Sequence, residues 1–239
     1  MSESYRVRTA PGRVRIERVI VSVSDKRNLE ALVEGLLGVN SEVRFYSTGG
    51  TYRRIRELLG NRAESHLTSI SEYTGQEEMA GGLVKTLDYR IYLGLLSDAE
   101  NEEHRRHLEA VGAVPFDMTV VNLYPFSAQV SEHPHDLEGA RQNIDIGGPT
   151  LLRASAKNFL RVAVVSNPDR YRSILAELEE SGGTLALGTR FRLAREAFAH
   201  TASYDNGISS WLDSHADVSP EAVYTIDETG PRRSERKDG

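Results

Sequence analysis

At 239 residues the chain is long enough to bury one sizeable core, and it has no cysteine, which excludes disulfides, thiolate metal sites and thiol nucleophiles. Lys and Arg number 29 against 35 Asp and Glu, a formal charge of -6, so no global field draws nucleic acid or anionic lipid, and any bound anion must be held by a local cluster. The longest apolar runs, among them Val19 to Val23 and Met118 to Val121, fall far short of the roughly 20 residues of a membrane span, and nothing resembles a signal peptide. A soluble protein of a reducing cytoplasm is expected.

Residues 1–17 carry Arg6, Arg8, Arg13 and Arg15 around Pro11 and Gly12 with no usable periodicity, and read as a mobile arm. Short β-branched runs then recur as expected buried strands: Arg18 to Val23, Val43 to Tyr46, Ile91 to Leu96, Met118 to Leu123 and Val162 to Val165. Helical spacing separates most of them, at Leu29, Leu32, Val33 and Leu36, at Ile55 and Leu59, at Leu108 and Val111, at Leu151 and Leu152, and at Ile174, Leu175 and Leu178. Thr189 to Asp213 reads as one long helix. The charged, apolar-poor stretch 214–239 reads as a disordered tail, which leaves 18–213 as a single domain. Strand and helix alternation predicts an α/β fold, a three-layer sandwich with a central, mostly parallel sheet.

Ligands of such sheets bind beyond the carboxyl ends of the strands. After the first strand come Ser22, Val23, Ser24, Asp25 and Lys26. After the second come Ser47, Thr48, Gly49, Gly50 and Thr51, whose paired glycines admit a ligand to the backbone while threonine hydroxyls donate. Each loop alone is as well read as a capped turn; two on adjacent strands point to a phosphate. A third segment, Gly81 to Leu87, follows two glycines with Lys85 and Thr86, a phosphate cradle or a solvated lysine. Asn122, Leu123 and Tyr124, before Pro125 and Phe126, offer an amide and a phenol to a flat polar ring. Asp145 and Ile146 precede Gly147, Gly148 and Pro149 at the expected start of a helix whose far end carries Lys157. One carboxylate and one lysine near a phosphate pocket suggest acid–base chemistry.

These segments, in this order, resemble the IMP cyclohydrolase domain of the bifunctional enzymes that also carry AICAR formyltransferase activity: SVSDK at 22–26, STGGT at 47–51, VKTL at 84–87, NLYPF at 122–126, IDIGGPTLLRASAKN at 144–158 and AFAHTASYD at 197–205. The resemblance implies a stand-alone cyclohydrolase domain of methylglyoxal-synthase-like fold, working in the cytoplasm as a homodimer and coupled to a separate formyltransferase. It implies that Ser22, Ser24, Asp25, Lys26, Ser47, Thr48, Gly49, Gly50, Thr51, Lys85 and Thr86 hold the nucleotide, chiefly its phosphate. Asn122, Leu123, Tyr124, Asp145, Ile146, Gly147 and Gly148 would surround the base. Lys157 corresponds to the family's proton donor or acceptor, with Lys85, Tyr124 and Asp145 completing the polar group. No metal or other cofactor is implied.

The chain departs from the family where Leu83 stands for an arginine near the phosphate and Asp88 and Tyr89 stand for His-Pro. A lost guanidinium partner removes a charge-assisted hydrogen bond worth about 1.5–3 kcal/mol, or about 10- to 100-fold in affinity. Arg53 and Arg90 are either its replacements or surface residues. His104 and His107, among Glu102, Glu103, Arg105 and Arg106, read as a solvated face, His133 and His135 as loop residues and His200 as a packing residue. The rival function is a non-catalytic nucleotide-sensing module of the same fold, like the regulatory domain of carbamoyl-phosphate synthetase. A methylglyoxal synthase would leave the NLYPF and IDIGGP segments unexplained.

Overall fold

The computed structural model describes residues 7, 9–76, 86–98, 100–124 and 126–226. Strands β1 (Arg13–Arg15) and β2 (Arg18–Val23) lead into helix α1 (Leu29–Val39), β3 (Arg44–Ser47), α2 (Gly49–Leu59), α3 (Ala63–His66), β4 (Leu67–Ser69) and α4 (Ile70–Thr74). Then follow α5 (Tyr89–Leu96), α6 (Glu102–Ala110), β5 (Met118–Asn122), α7 (Phe126–Glu132), α8 (Leu137–Gln142), α9 (Gly147–Lys157), β6 (Ala163–Val165), α10 (Tyr171–Glu180), β7 (Thr184–Ala186) and α11 (Leu187–Ser214).

Five strands form one parallel sheet in the order β4-β3-β2-β5-β6, flanked by helices, as the alternation predicts. The central strands are covered on both faces, which is why β2 and β5 read as unbroken β-branched runs rather than as alternating ones. Val19, Ile20, Val21 and Val23 of β2, the side chains of β5 and Phe45 are buried, each fully buried aliphatic or aromatic group contributing about 1.5–3 kcal/mol. Helices α1 and α10 approach so closely that a Cβ on Gly35 would lie 2.7 Å from Leu175. The chain builds β3 and β4 on one side of β2 and then β5 and β6 on the other. The order therefore reverses between β2 and β5, and ligands of open parallel sheets bind beyond the carboxyl ends of the strands at such a reversal.

At the opposite end of the strands, before β5 and β6 begin, buried Arg161 donates to the carbonyl oxygens of Phe116 (2.7 Å), Ser97 (3.2 Å) and Gly94, and pairs with Asp117 at 3.6 Å. The Asp117 carboxylate also accepts from the N–H groups of Glu17 and Arg18 at 3.1 and 2.9 Å.

Three expectations are corrected. The run Ile91 to Leu96 is not a strand but lies in α5: Asp88 caps the helix by accepting from the Arg90 N–H at 2.8 Å, and Ile91 and Leu95 fall one turn apart on its buried face. A six-residue apolar run carries no period long enough to separate the two readings. The mobile arm does not extend to residue 17, because β1 pairs antiparallel with β7 and Ile16 is 2% exposed. The carbonyl oxygen of Pro11 accepts from buried Arg190 at 2.6 Å; that guanidinium also holds the carbonyls of Phe159, Leu160 and Leu185. The expected tail is structured up to residue 226, with a 3₁₀ turn at Pro220–Ala222; residues 227–239 lie outside the described ones.

Packing divides the chain into two units, 1–124 with 145–203, and 125–144 with 204–239. The first contains both sheets. Within the second, Phe126 meets Trp211 edge-on, Trp211 stacks on His215, and the Tyr224 hydroxyl donates to Glu138.

Candidate active site

The loops at the carboxyl ends of β2, β3 and β5 and the N-terminus of α9 are joined by direct contacts, and they bring most of the expected residues to one end of the sheet. The Asn122 side chain accepts from the Asp25 N–H at 2.8 Å and donates to the Asp25 carbonyl at 2.9 Å. Thr51 Oγ1 accepts from the Val23 N–H at 3.1 Å and donates to the Val23 carbonyl at 3.0 Å. Ser47 is buried and its hydroxyl donates to Val21 at 2.7 Å. Ser47, Thr51 and Asn122 therefore spend their side-chain polar groups on the frame of the site. The single hydroxyl protons of Ser47 and Thr51 are thus taken, while the Asn122 amide keeps a second N–H.

What remains open toward a ligand is backbone and charge. Gly49 has φ 56°, in the left-handed region that suits glycine, and starts α2 with no side-chain cap from Thr48, whose Oγ1 is buried without a partner. The first N–H groups of α2 have no intrahelical acceptors. Lys26, exposed on the loop after β2, places its Nζ over Gly50, 3.9 Å from where a Cβ would stand. Ser22 and Ser24 are half-buried on the same loop. Asp25 binds Arg27 at 2.7 Å, and the hydrogen bonds from Arg27 hold its carboxyl below the usual range.

On the other side of the site, Asp145 Oδ1 accepts from the Gly148 N–H at 2.9 Å and so caps α9 from three residues upstream. Burial raises the pKa of this carboxyl above the ordinary aspartate value, against the opposing pull of the Gly148 and Gly147 amides. A side chain at either glycine would displace its neighbours: a Cβ on Gly148 would stand 2.5 Å from Asp145 Oδ2 and 2.6 Å from Leu123 Cδ2, and one on Gly147 would stand 2.6 Å from Thr86 Oγ1. Asp145, Leu123 and Thr86 thus meet at one helix N-terminus. Tyr124, next to Leu123, is 57% exposed, and Ile146 is exposed beside Asp145. Lys85 and Leu83 lie outside the described residues.

Lys157 is not part of this group. The 11 residues of α9 put it about 15 Å from Gly147, beyond the reach of its side chain. It lines instead a groove of about 670 Å³ along α9, walled by Tyr92 of α5 and by Phe191, Phe198 and Arg195 of α11. Arg90 is also committed elsewhere, its guanidinium donating to the Tyr73 carbonyl at 2.9 Å. Asp88, besides capping α5, accepts from Gln76 at 2.9 Å, which gives this departure from the family a local structural role. Among the described residues no cluster of His, Asp or Glu has the arrangement of a metal site, and no helix is long and apolar enough to cross a membrane.

A family model described as an MGS-like domain matches residues 28–150, just over half of the chain, and one described as AICARFT/IMPCHase bienzyme matches residues 155–234. The bifunctional purine biosynthesis protein PurH of Magnetococcus marinus is 43% identical over 198 residues, which are 83% of this chain and 36% of that protein. The chain thus spans about a third of that relative's length. Among solved structures, the crystal structure of ForH superimposes with a TM-score of 0.68 at 33% identity, covering 82% of this chain and 99% of that one. A five-stranded parallel sheet flanked by helices and these matches agree: the chain belongs to the MGS-like domain family and resembles, within it, the cyclohydrolase part of the purine bienzymes.

Proposed function

We propose that the chain is an IMP cyclohydrolase acting in purine biosynthesis, which converts formyl-AICAR to IMP and water. The carrying observation is the meeting of Asp145, Leu123 and Thr86 at the α9 N-terminus, at the same end of the sheet as the Lys26 and Gly50 loops. Phosphate and base of one nucleotide would span the two.

In the reaction the carboxamide nitrogen bonds to the formyl carbon of the same molecule, whose oxygen takes the displaced π pair. Water then leaves with that oxygen, one proton from the carboxamide nitrogen and one from the formamido nitrogen, and a ring C=N bond forms. Both partners are already in the substrate, so the enzyme folds it, stabilises the oxyanion and moves protons. No redox cofactor or metal is needed. The ionised Asp145 carboxylate takes the carboxamide proton, the Tyr124 hydroxyl donates to the oxyanion, and Lys85 supplies a cation. Lys157 enters only through a second copy of the chain, so its role and the proposed homodimer stand together. A separate formyltransferase would supply the substrate, in the cytoplasm.

A nucleotide sensor of the same fold would need the two phosphate loops but not a carboxylate whose ionised form is disfavoured by burial at the base end. Incubating the purified protein with formyl-AICAR and separating products by chromatography tests the proposal. IMP formed faster than in a protein-free control supports it; bound but unconverted substrate favours the sensor.

A further inference from the structure

Gly50 has one open side, and two cations face it. A Cβ built there meets nothing nearer than Lys26 Nζ and a terminal guanidinium nitrogen of Arg53, each at 3.9 Å, so the two charges are separated by at most twice that distance. They come from different elements, Lys26 from the loop after β2 and Arg53 from the first turns of α2, and both side chains are exposed. Neither is paired with a carboxylate among the described residues. Their neighbours are: Arg27 binds Asp25 at 2.7 Å, and Arg54 binds Glu57 at 3.3 Å and Glu30 at 3.7 Å.

The same point is the positive end of α2, which Thr48 does not cap, and the hydroxyls of Ser47 and Thr51 are committed to the carbonyls of Val21 and Val23. Lys26 also donates to the Ser24 carbonyl at 3.4 Å, and the two exposed cations together with the helix N-terminus favour an anion beside Gly50. The chain has Leu83 in place of the family's arginine, and Arg90 is held by Tyr73.

We propose that Arg53 is the guanidinium that grips the nucleotide 5'-phosphate, opposite Lys26 and above Gly50, and so replaces the missing arginine. This rests on the nucleotide-binding part of the proposed function. Arg53 forms the charge-assisted bonds, while the backbone N–H groups of α2 hold the remaining phosphate oxygens.

Calorimetric titration of IMP and of inosine, which lacks the phosphate, into the wild-type chain, Arg53→Ala, Arg53→Lys and Arg54→Ala tests it. The expected result is a 10- to 100-fold weaker affinity for IMP in Arg53→Ala, a smaller loss in Arg53→Lys, wild-type affinity within about twofold in Arg54→Ala, and no change for inosine in any variant. Arg53→Ala that binds IMP as the wild type does, or that loses IMP and inosine equally, overturns the assignment while leaving the nucleotide site standing. A wild-type chain that does not bind IMP at all overturns both.

Discussion

The side-chain amide of Asn122, at the end of β5, clamps the backbone of Asp25, beyond the end of β2, from both sides, accepting from its N–H and donating to its carbonyl. These two strands flank the reversal of sheet order, so the clamp ties the loop after β2 to the end of β5 at the point where ligands of such sheets bind. Asn122→Ala removes both bonds and leaves two backbone groups unsatisfied. We expect a loss of about 1–3 kcal/mol in stability by urea denaturation and weaker binding of IMP. Unchanged binding would mean that the loop holds its shape without the clamp.

Asp145 links stability and activity in opposite senses. Its folded pKa is raised by burial, so its contribution to stability is full below the unfolded value and is lost as pH rises from there through the folded pKa. At neutral pH the ionised carboxylate is a net strain on the fold, and Asp145→Asn, which keeps an acceptor for Gly148, should melt at or above the wild-type temperature. Turnover should fall by about 100- to 10,000-fold. In the wild type the acid limb of the rate profile should lie above the ordinary aspartate range and vanish in the variant. A variant that is both less stable and fully active would exclude Asp145 as the base.

Gly148→Ala forces a methyl against Asp145 and Leu123 at contact distances no packed structure accommodates. Displacing the carboxylate by about 1 Å is expected to lower kcat/KM about 100-fold with a much smaller effect on IMP affinity, since the phosphate loops are untouched. Parallel loss of both would point to general disruption.

Lys157→Ala should bind IMP within about twofold of the wild type, because α9 separates it from the site of its own chain. Turnover lost at unchanged affinity would assign the lysine to the site of a second copy, and mixing Lys157→Ala with Asp145→Asn chains should then restore activity. A tenfold loss of affinity in a chain shown to be monomeric would contradict the separation of Lys157 from the site.

Arg161→Met tests the opposite, amino ends of the strands. The Phe116 carbonyl loses a donor at 2.7 Å, the Gly94 and Ser97 carbonyls keep only the Phe116 N–H and the Asn158 amide, and Asp117 loses its cation in a buried setting that already raises its pKa. A destabilisation of about 3–5 kcal/mol is expected, with full activity in the fraction that stays folded. A loss below 1 kcal/mol would mean that water replaces the guanidinium.

The parallel sheet was legible because β2, β3, β5 and β6 are apolar runs bounded by polar loops. Strands β1, β4 and β7, with three residues each, are too short to carry a period, and β1 and β7 exist because they pair with each other across 171 residues of chain. The site residues were legible as types and positions but not as roles. Ser47, Thr51 and Asn122 look like ligand donors in sequence, and only their partners Val21, Val23 and Asp25 show that they hold the frame. Arg53 carried the opposite ambiguity: one arginine among four on α2 and its neighbourhood is indistinguishable from a solvated face until the carboxylates around Arg54 and Arg62 are seen to leave it alone.

The central claim is tested most directly by following the conversion of formyl-AICAR to IMP by absorbance with the wild-type chain beside Asp145→Asn and Tyr124→Phe. Turnover by the wild type that falls at least 100-fold in Asp145→Asn and measurably in Tyr124→Phe is the predicted result. Tight binding of IMP with no conversion above the protein-free rate would contradict it and leave a nucleotide-binding module.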